Sequence, residues 1–155
     1  NNELASRFTS EWLQAWNEHD LDRVLSHYSD DFEMFSPVIV QVTGNQEGRL
    51  QGKQAVATYW AKALAIFPNL HFTHICTLVG VNSLVIHYLG ATGKRVAEVF
   101  QFNAQGLVIR AHAHYEHEPR RAFCAARFAP NWALQGTLIR RIASASLMGA
   151  PELGS

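Results

Sequence analysis

Apolar residues recur every three to four positions in two stretches of the first half of the chain. One of these stripes consists of Leu4, Phe8, Trp12 and Trp16. This spacing predicts a helix over residues 3–17, and the same spacing predicts another over residues 53–67, which Pro68 ends. Between them, Asp20 is suited to cap a short helix that begins at Leu21. The pattern therefore predicts three N-terminal helices.

Alternating apolar and polar residues predict β-strands elsewhere. The predicted strands cover residues 32–35, 38–42, 70–79, 83–89, 95–102 and 107–116. The first ends at Ser36 because a residue before proline favours an extended backbone, and residues 38–42 could form a further strand after Pro37. Short turns join the last four strands, so these neighbours are expected to pair antiparallel. Together the elements predict an α+β fold, in which helices cover one face of a curved, mostly antiparallel sheet and leave a pocket between the layers.

Glu98 differs from the other residues on its side of the strand predicted over residues 95–102. Its side chain shares a face with Val96, Phe100 and Phe102, because alternate residues of a strand point the same way. Carboxylates are rarely fully buried unless they are paired. Glu98 therefore marks either an exposed face or a functional acid in a pocket, where loss of solvation would raise its pKa.

Composition and charge narrow the class of protein. The chain has 155 residues, 48% of them hydrophobic, which fits one globular domain. Equal numbers of basic and acidic residues, 13 each, argue against a general nucleic-acid binder. The two cysteines, Cys76 and Cys124, lack the spacing of a zinc module. No apolar run is long enough to span a bilayer, so we expect a cytoplasmic protein that does not bind membranes.

Four short motifs occur in order along the chain. They are WNEHDLDRVL at residues 16–25, YSDDF at 28–32, GK at 52–53 and FNAQGLV at 102–108. Together they resemble the SnoaL-like branch of the NTF2-like superfamily, over roughly residues 3–116. The resemblance implies a cone built from a six-stranded curved sheet and three helices, commonly dimeric, with an apolar cavity at its wide end. It implies no cofactor and no single chemistry, because this fold carries several functions.

Ketosteroid isomerases, which share the implied fold, allow a comparison of single positions. Their carboxylate base precedes the proline after the first strand, and this position holds Ser36 here. Their oxyanion-hole tyrosine falls at Trp12, and their second oxyanion donor, a protonated aspartate, falls at Glu98. The resemblance therefore implies a pocket without the usual base, in which Glu98 serves as proton donor or base.

The expected pocket is rich in aromatic side chains. Its predicted lining is Trp12, Tyr28, Ser36, Tyr59, Trp60, Phe100, Ala111 and Tyr115. Aromatic residues at helical or strand spacing also suit an ordinary core, so both interpretations remain open. Glu98 likewise has a structural alternative, as a carboxylate bonded to the Trp12 N–H, to the Tyr115 hydroxyl or to a neighbouring strand.

Eight histidines invite a metal interpretation, above all His112 and His114, which share one strand face. If Ala111 and Tyr115 face the cavity, as the resemblance requires, these histidines lie on the outer face together with Arg110. We therefore predict no metal site there, and instead a homodimer contact. Two other histidines, His74 and His87, are candidate proton-transfer partners of Glu98.

Residues 117–155 lie outside the resemblance and form a separate C-terminal extension. Leu134, Leu138 and Ile142 have helical spacing, which predicts at least one amphipathic helix packed on its own domain or on a partner subunit. For residues 1–116 we predict a SnoaL-like domain that binds a small, mostly apolar molecule, with Glu98 assisting an isomerase, cyclase or hydrolase type of proton transfer. The alternative is a non-catalytic ligand-binding or oligomerisation module.

Overall fold

The computed structural model describes residues 2–117, and the helix predicted in the C-terminal extension, with its packing, lies outside that range. The described part holds four helices and six strands. In chain order they are α1 Asn2–Asn17, α2 Leu21–Leu25, β1 Tyr28–Phe35, α3 Pro37–Thr43, β2 Arg49–Gln51, α4 Lys53–Ile66, β3 Thr73–Gly80, β4 Ser83–Leu89, β5 Arg95–Phe102 and β6 Val108–Tyr115.

The six strands form one sheet in the order β2-β1-β6-β5-β4-β3. All neighbouring pairs are antiparallel except β1 and β6, which run parallel. A parallel pair needs a long connection, and here the whole of the intervening chain supplies it. The structure confirms the predicted α+β class and the six-stranded sheet.

Helix α1 packs its apolar stripe on the inner face of the sheet. Phe8, Trp12 and Trp16 are all buried along that stripe, as their spacing predicts. Asp20 caps α2, because its carboxylate accepts a hydrogen bond from the backbone N–H of Arg23 at 3.1 Å. Both helices are confirmed, but Leu4, the first residue of the predicted α1 stripe, is exposed.

The strand predicted at residues 38–42 is wrong, because this segment belongs to helix α3. Ser36 is the N-cap of that helix and accepts a hydrogen bond from the Val38 N–H at 3.2 Å, while Pro37 occupies the first turn. A Ser-Pro pair suits a helix start, since the proline N–H would have no helical partner in any case. The β-branched residues that follow had favoured a strand. Residues 2–117 therefore hold four helices, one more than the three N-terminal helices predicted.

Strand β2 was not predicted, and β1 is longer than predicted. Three residues are too few for an alternating pattern, so β2 left no signal in the sequence. It nevertheless pairs with β1, where Met34 faces Leu50. Strand β1 begins at Tyr28, four residues before the predicted start at Phe32, and α2 ends at Leu25.

Aromatic rings fill the space between α1 and the sheet. Trp12 is 1% exposed and has four rings around it, those of Trp16, Phe72, Tyr88 and Phe100, at centroid distances of 5.3–6.1 Å. Edge-on and offset ring contacts of this kind add roughly 0.5–1.5 kcal/mol each to the area they bury. Trp60 of α4 extends the layer, 5.1 Å from the ring of Trp16.

Candidate functional site

Glu98 projects from the inner face of the sheet, as its alternation with Phe100 predicts. Its neighbours across the strands are Ile86 of β4 and Ala113 of β6, and both are buried. Glu98 itself is only 4% exposed. The interpretation as an exposed face is therefore excluded, and the carboxyl group lies inside the apolar layer.

The hydrogen-bond partner of Glu98 is Tyr88. The Tyr88 hydroxyl donates to Oε2 of Glu98 at 3.0 Å. Burial raises the pKa of Glu98 to about 7, and this hydrogen bond partly opposes the increase. Within the described part of the chain, no cation contributes to that pKa. Glu98 can therefore hold or release a proton near neutral pH.

Sequence reasoning missed Tyr88, although a signal was present. Tyr88 alternates with Leu84 and Ile86, and all three are buried on the inner face. Because Ile86 lies opposite Glu98, Tyr88 takes the diagonal position two residues along β4. Counting back from the short turn between β4 and β5 would have found it.

The Trp12 indole N–H donates to the Tyr28 hydroxyl at 2.9 Å, and not to Glu98 as one alternative expected. This leaves the proton of Tyr28 itself available to another acceptor. Burial, followed by the charge of Glu98, raises the pKa of Tyr28 well above its ordinary value, while the Trp12 contact lowers it. Tyr28 is therefore a neutral hydroxyl at physiological pH.

A second group of hydroxyls lies where β1 ends. The hydroxyl of Tyr115 is 3.5 Å from Oγ of Ser36, and Ser36 is 3% exposed. Tyr115 as a whole is 41% exposed, but burial on the side of its hydroxyl raises the pKa of that group to about 12, against a lowering effect of Ser36. Tyr59 of α4 belongs to the same group, because burial and then Tyr115 raise its pKa while Ser36 lowers it. We call Ser36, Tyr59 and Tyr115 the hydroxyl group.

All four tyrosines of the chain are sensitive to Glu98. Its negative charge is among the causes that raise the pKa of each of them. They come from four elements, and are Tyr28 of β1, Tyr59 of α4, Tyr88 of β4 and Tyr115 of β6. Glu98 thus influences four neutral tyrosine hydroxyls, and the hydroxyl of Tyr88 is the one that donates a hydrogen bond to it.

The structure does not bring the two predicted histidine partners to Glu98. His87 pairs with Ala97 of β5 and so lies on the outer face, with its Nδ1 3.9 Å from Sγ of Cys76. His74 is exposed, and its Nε2 is 2.9 Å from Oγ1 of Thr77. Alternation alone does not show which face of the sheet His74 and His87 occupy, because it does not fix the register of one strand against the next.

The outer face carries Arg110, as predicted, and with it Glu33 and Arg49, which were not predicted there. Glu33 accepts hydrogen bonds from Arg49 and from Arg110, the latter at 2.9 Å. These contacts lower the pKa of Glu33. His112 stacks on the ring of Phe35 at a centroid distance of 4.4 Å. Burial lowers the pKa of His112, so it is neutral at physiological pH.

Two of the surface clefts in the described part of the chain are relevant to the predicted site residues. The first, about 280 Å³, opens where β1 ends beside β6 and is lined by Phe35, Ser36, Pro37, Val40, Glu47, Gly48, His112, Ala113 and His114. The second, about 340 Å³, lies on the outer face near Glu33 and Arg110. We call the first the β1-end cleft.

The predicted pocket lining divides between the core and the β1-end cleft. Trp12, Tyr28, Tyr59, Trp60, Phe100 and Ala111 are buried in the core. Ser36 lines the β1-end cleft, and the hydroxyl of Tyr115 lies next to it. Aromatic rings thus occupy the space above Glu98, and neither cleft includes Glu98 in its lining. A ligand role for these residues remains a prediction.

Two further findings concern residues 2–117 alone. No group of three or more His, Cys, Asp and Glu side chains is arranged to hold a metal ion. None of the helices combines the length and apolar character required to cross a membrane.

Comparison with known proteins identifies a family and several similar structures. The family model of the SnoaL-like domain matches residues 9–121. A SnoaL-like protein of unknown function from Burkholderia thailandensis has a solved structure and is 51% identical, with a TM-score of 0.73. The alignment covers 76% of this chain and 98% of that one. No curated protein is significantly similar to the chain.

More distant structures share the fold. One is a candidate isomerase of the SnoaL-like family from Agrobacterium tumefaciens, 16% identical with a TM-score of 0.60, covering 74% of this chain and 99% of that one. Another is a candidate ketosteroid isomerase from Kribbella flavida, 12% identical with a TM-score of 0.59, covering 82% and 91%. At such identities the similarity concerns the fold alone.

Proposed function

The chain belongs to the family of SnoaL-like domains, and on that premise we propose that it binds a small, mostly apolar molecule and that Glu98 moves a proton to or from it. The reaction is of the isomerase, cyclase or hydrolase type and needs no cofactor. The observation that carries this proposal is the buried Glu98 carboxyl, whose pKa of about 7 is set by burial and by the Tyr88 hydroxyl.

A pKa near 7 suits general acid–base catalysis. Such a group is present in both protonation states at physiological pH, and each state transfers protons effectively. The neutral tyrosines around Glu98 supply donors for oxygen atoms on which negative charge develops. The distant similarity to structures named as isomerases agrees with this chemistry without identifying a substrate.

A substrate-independent assay tests the role of Glu98. A nitro-substituted benzisoxazole loses its ring C–H proton to a base, the N–O bond breaks, and a coloured cyanophenolate forms. We expect its rate to rise with pH around a midpoint of about 7, because only the carboxylate form of Glu98 accepts the proton. Glu98→Gln should lower the rate about 100-fold, the contribution typical of one positioned base.

The matched control is Glu3→Gln, which removes an exposed carboxylate from the first turn of α1. This variant should keep the rate and the pH profile of the parent protein. If Glu98→Gln turned over the probe as fast as the parent, or if the parent showed no midpoint near neutral pH, the proposed acid–base role of Glu98 would be wrong.

The alternative, a non-catalytic binding or oligomerisation module, has one observation in its favour. The rings of Trp12, Phe72 and Phe100 fill the layer next to Glu98. A protein of this kind would bind apolar probes as well after Glu98→Gln as before, and would not accelerate proton abstraction. Isothermal calorimetry with the same benzisoxazole separates this outcome from catalysis.

For the assembly, we propose a homodimer through the outer face of the sheet around Arg110, His112 and His114. In support, Leu78 of β3 pairs with Val85 on the outer side and is 60% exposed. An apolar side chain so exposed on a sheet face favours contact with a second surface. Sedimentation velocity at micromolar protein tests the assembly, and a monomer there would exclude it.

A further inference from the structure

The loop between α4 and β3, residues 67–72, covers the layer in which Glu98 lies. Neither of the two surface clefts includes Glu98 in its lining, so a ligand needs another route to the acid. We propose that this loop is a gate, and that an uncharged, flat aromatic ring reaches Glu98 by taking the place of the Phe72 ring. This rests on the proposed function, because it assigns the route and the substrate class for the same carboxyl group. We call residues 67–72 the gate loop.

The Phe72 side chain separates solvent from the hydrogen-bond partner of Glu98. Phe72 is half-buried and packs against the core, whereas Tyr88 is only 4% exposed. The centroids of these two rings are 4.6 Å apart, and the Tyr88 hydroxyl donates to Glu98 at 3.0 Å. The order from the surface inward is therefore Phe72, Tyr88 and Glu98. Displacement of the first ring opens the approach to the other two.

Side chains at the end of α1 hold the gate loop closed. The side-chain amide of Asn17 donates to the Phe72 carbonyl at 3.0 Å and accepts a hydrogen bond from the Phe72 N–H at 2.7 Å. The Nε2–H of His19 donates to the Leu70 carbonyl at 2.8 Å. We call Asn17 and His19 the latch. Three hydrogen bonds of the latch thus fix the backbone of the gate loop at two residues.

The gate loop can open without disrupting the sheet. Its residues belong to no helix or strand. Apart from the latch, its backbone hydrogen bonds in the described part of the chain are local, from the Phe67 N–H to the Ala63 carbonyl and from the Leu70 N–H to the Phe67 carbonyl. Leu70 is 8% exposed, so burial of Leu70 and Phe72 favours the closed position again after each opening.

The backbone of His19 indicates that its side chain has a specific role. Its φ is +58°, in the left-handed region that residues other than glycine rarely adopt. The His19 N–H donates to the Trp16 carbonyl at 3.0 Å, which fixes this conformation at the end of α1. Glycine would adopt it at a lower cost in free energy. The contact with Leu70 accounts for a histidine here.

The rings around Phe72 define the class of ligand. The Phe72 ring stacks on Trp12 at an interplanar angle of 20° and is tilted by 41° against Tyr88. A molecule that replaces Phe72 recovers both contacts only if it is flat and aromatic, about the size of one phenyl ring. An anionic ring would be repelled by the Glu98 carboxylate. The ligand is therefore an uncharged aromatic compound.

Fluorobenzene tests the gate directly, because it has the shape of the Phe72 side chain and offers no acidic proton to Glu98. Fluorine NMR measures its affinity. The closed loop competes with the ligand, so the apparent Kd is the intrinsic Kd divided by the open fraction. Asn17→Ala and His19→Gly each weaken the latch and keep the Phe72 ring. We expect each to tighten binding about tenfold, which corresponds to one lost hydrogen bond of about 1.4 kcal/mol.

Two further variants calibrate that result. Phe72→Ala should tighten binding by more than either latch variant, because the ligand no longer displaces a ring. Gln14→Ala is the matched control, since Gln14 is exposed on α1 and its side chain bonds to Glu18 at 2.8 Å. This variant should keep the parent affinity. Thermal unfolding is measured for every variant, and the two latch variants carry the conclusion if Phe72→Ala is not folded.

Hydrogen exchange and chemical shifts show whether the loop opens as one unit and where the probe binds. The latch bond of His19 is made to Leu70 and not to Phe72. An increase of about tenfold in the exchange rate of the Phe72 amide in His19→Gly therefore reports opening of the whole loop. Bound fluorobenzene should shift the indole N–H signal of Trp12 and leave the amide of Gly48, in the β1-end cleft, unchanged.

Several results would overturn the inference. These are an unchanged fluorobenzene affinity in both latch variants, an unchanged exchange rate of Phe72 in His19→Gly, no binding to folded Phe72→Ala, or shifts confined to Gly48. The benzisoxazole assay separates the two proposals. Binding that responds to the latch supports the gate even if Glu98→Gln keeps full turnover, whereas Glu98-dependent turnover with no response to the latch supports the acid and excludes the gate.

Discussion

Two carboxylates on opposite faces of the same sheet have their pKa values shifted in opposite directions. Glu98 on the inner face of β5 is buried, accepts one hydrogen bond from a neutral phenol, and has its pKa raised to about 7. Glu33 on the outer face of β1 contacts the guanidinium groups of Arg49 and Arg110, and its pKa is lowered. The two side chains are chemically identical, so the surroundings alone account for the difference.

The comparison separates a structural carboxylate from a candidate functional one. Glu33 of β1 forms ion pairs with Arg49 of β2 and Arg110 of β6, and its negative charge serves to link these three strands. Glu98 has no cation among the described residues to balance its charge, so ionisation of Glu98 destabilises the folded protein. A carboxyl pKa that is raised by burial, beside neutral hydrogen-bond donors, is typical of functional sites.

The largest expected effect is on stability as a function of pH. Because the pKa of Glu98 is raised from 4.5 to about 7 in the folded state, the stability it contributes is present below about 4.5 and is lost as the pH rises through 7. The shift corresponds to roughly 3 kcal/mol. Urea unfolding from acid to about pH 8 should show this loss in the parent protein and not in Glu98→Gln.

Glu33→Gln is the matched control with the opposite sign. A lowered pKa stabilises the folded state above the ordinary value of 4.5, and this contribution is lost as the pH falls below it. This variant should therefore be less stable than the parent at neutral pH, while the two converge in acid. If Glu98→Gln and Glu33→Gln changed the pH dependence in the same direction, the contrast between the two faces would be wrong.

A smaller effect is expected from the Tyr88 hydroxyl. Tyr88→Phe removes the hydrogen bond that favours the Glu98 carboxylate, so the pKa of Glu98 should rise further, by roughly one unit. The midpoint of the benzisoxazole pH profile should move up with it. A titration of isotope-labelled glutamate carboxyl carbons by NMR measures the same change without turnover.

Tyr59→Phe supplies the comparison for that variant. Tyr59 is also buried and also senses Glu98, but Tyr88 is the tyrosine that donates to its carboxylate. The pKa of Glu98 should move less in Tyr59→Phe than in Tyr88→Phe. Equal shifts would mean that the Tyr88 hydrogen bond has no particular role.

The smallest effect is expected on the outer face. Arg110→Met removes one of the two arginines that lower the pKa of Glu33, so this pKa should rise toward its ordinary value while Arg49 still opposes the change. Solvent screens such pairs, and partly exposed ion pairs contribute little to stability. The same NMR titration measures the Glu33 shift, and no shift at all would show that the Arg110 contact is not maintained in solution.

The inner face was predictable from the sequence because strand alternation is strict. It placed Glu98 and Phe100 on one face of β5, and on β6 it separated Ala111 and Tyr115, which the resemblance put toward the cavity, from His112. No register was needed, since each prediction concerned residues of one strand. Alternation by itself does not relate one strand to the next, which takes the turn between β4 and β5 as well, so Tyr88 was missed and the face of His87 stayed open.

The end of β1 was the least predictable part, and the hydroxyl group lies there. Residues 38–42 have strand propensity, yet the cap at Ser36 and the proline after it determine a helix. Local propensity and capping opposed each other, and the packing of Ile39 in the core agrees with the helix. The cleft depends on that helix, so the sequence could not indicate it.

The parallel pairing of β1 with β6 also bears on how the protein folds. Glu33 and Arg110 are 77 residues apart in the chain and neighbours in the sheet. Contacts so distant form late, because the loop between them must first be closed at a cost in entropy. A chain emerging from the ribosome lacks the centre of its sheet until β6 has appeared. Tyr115 arrives at the end of that strand, so the hydroxyl group is completed only when the domain itself is complete.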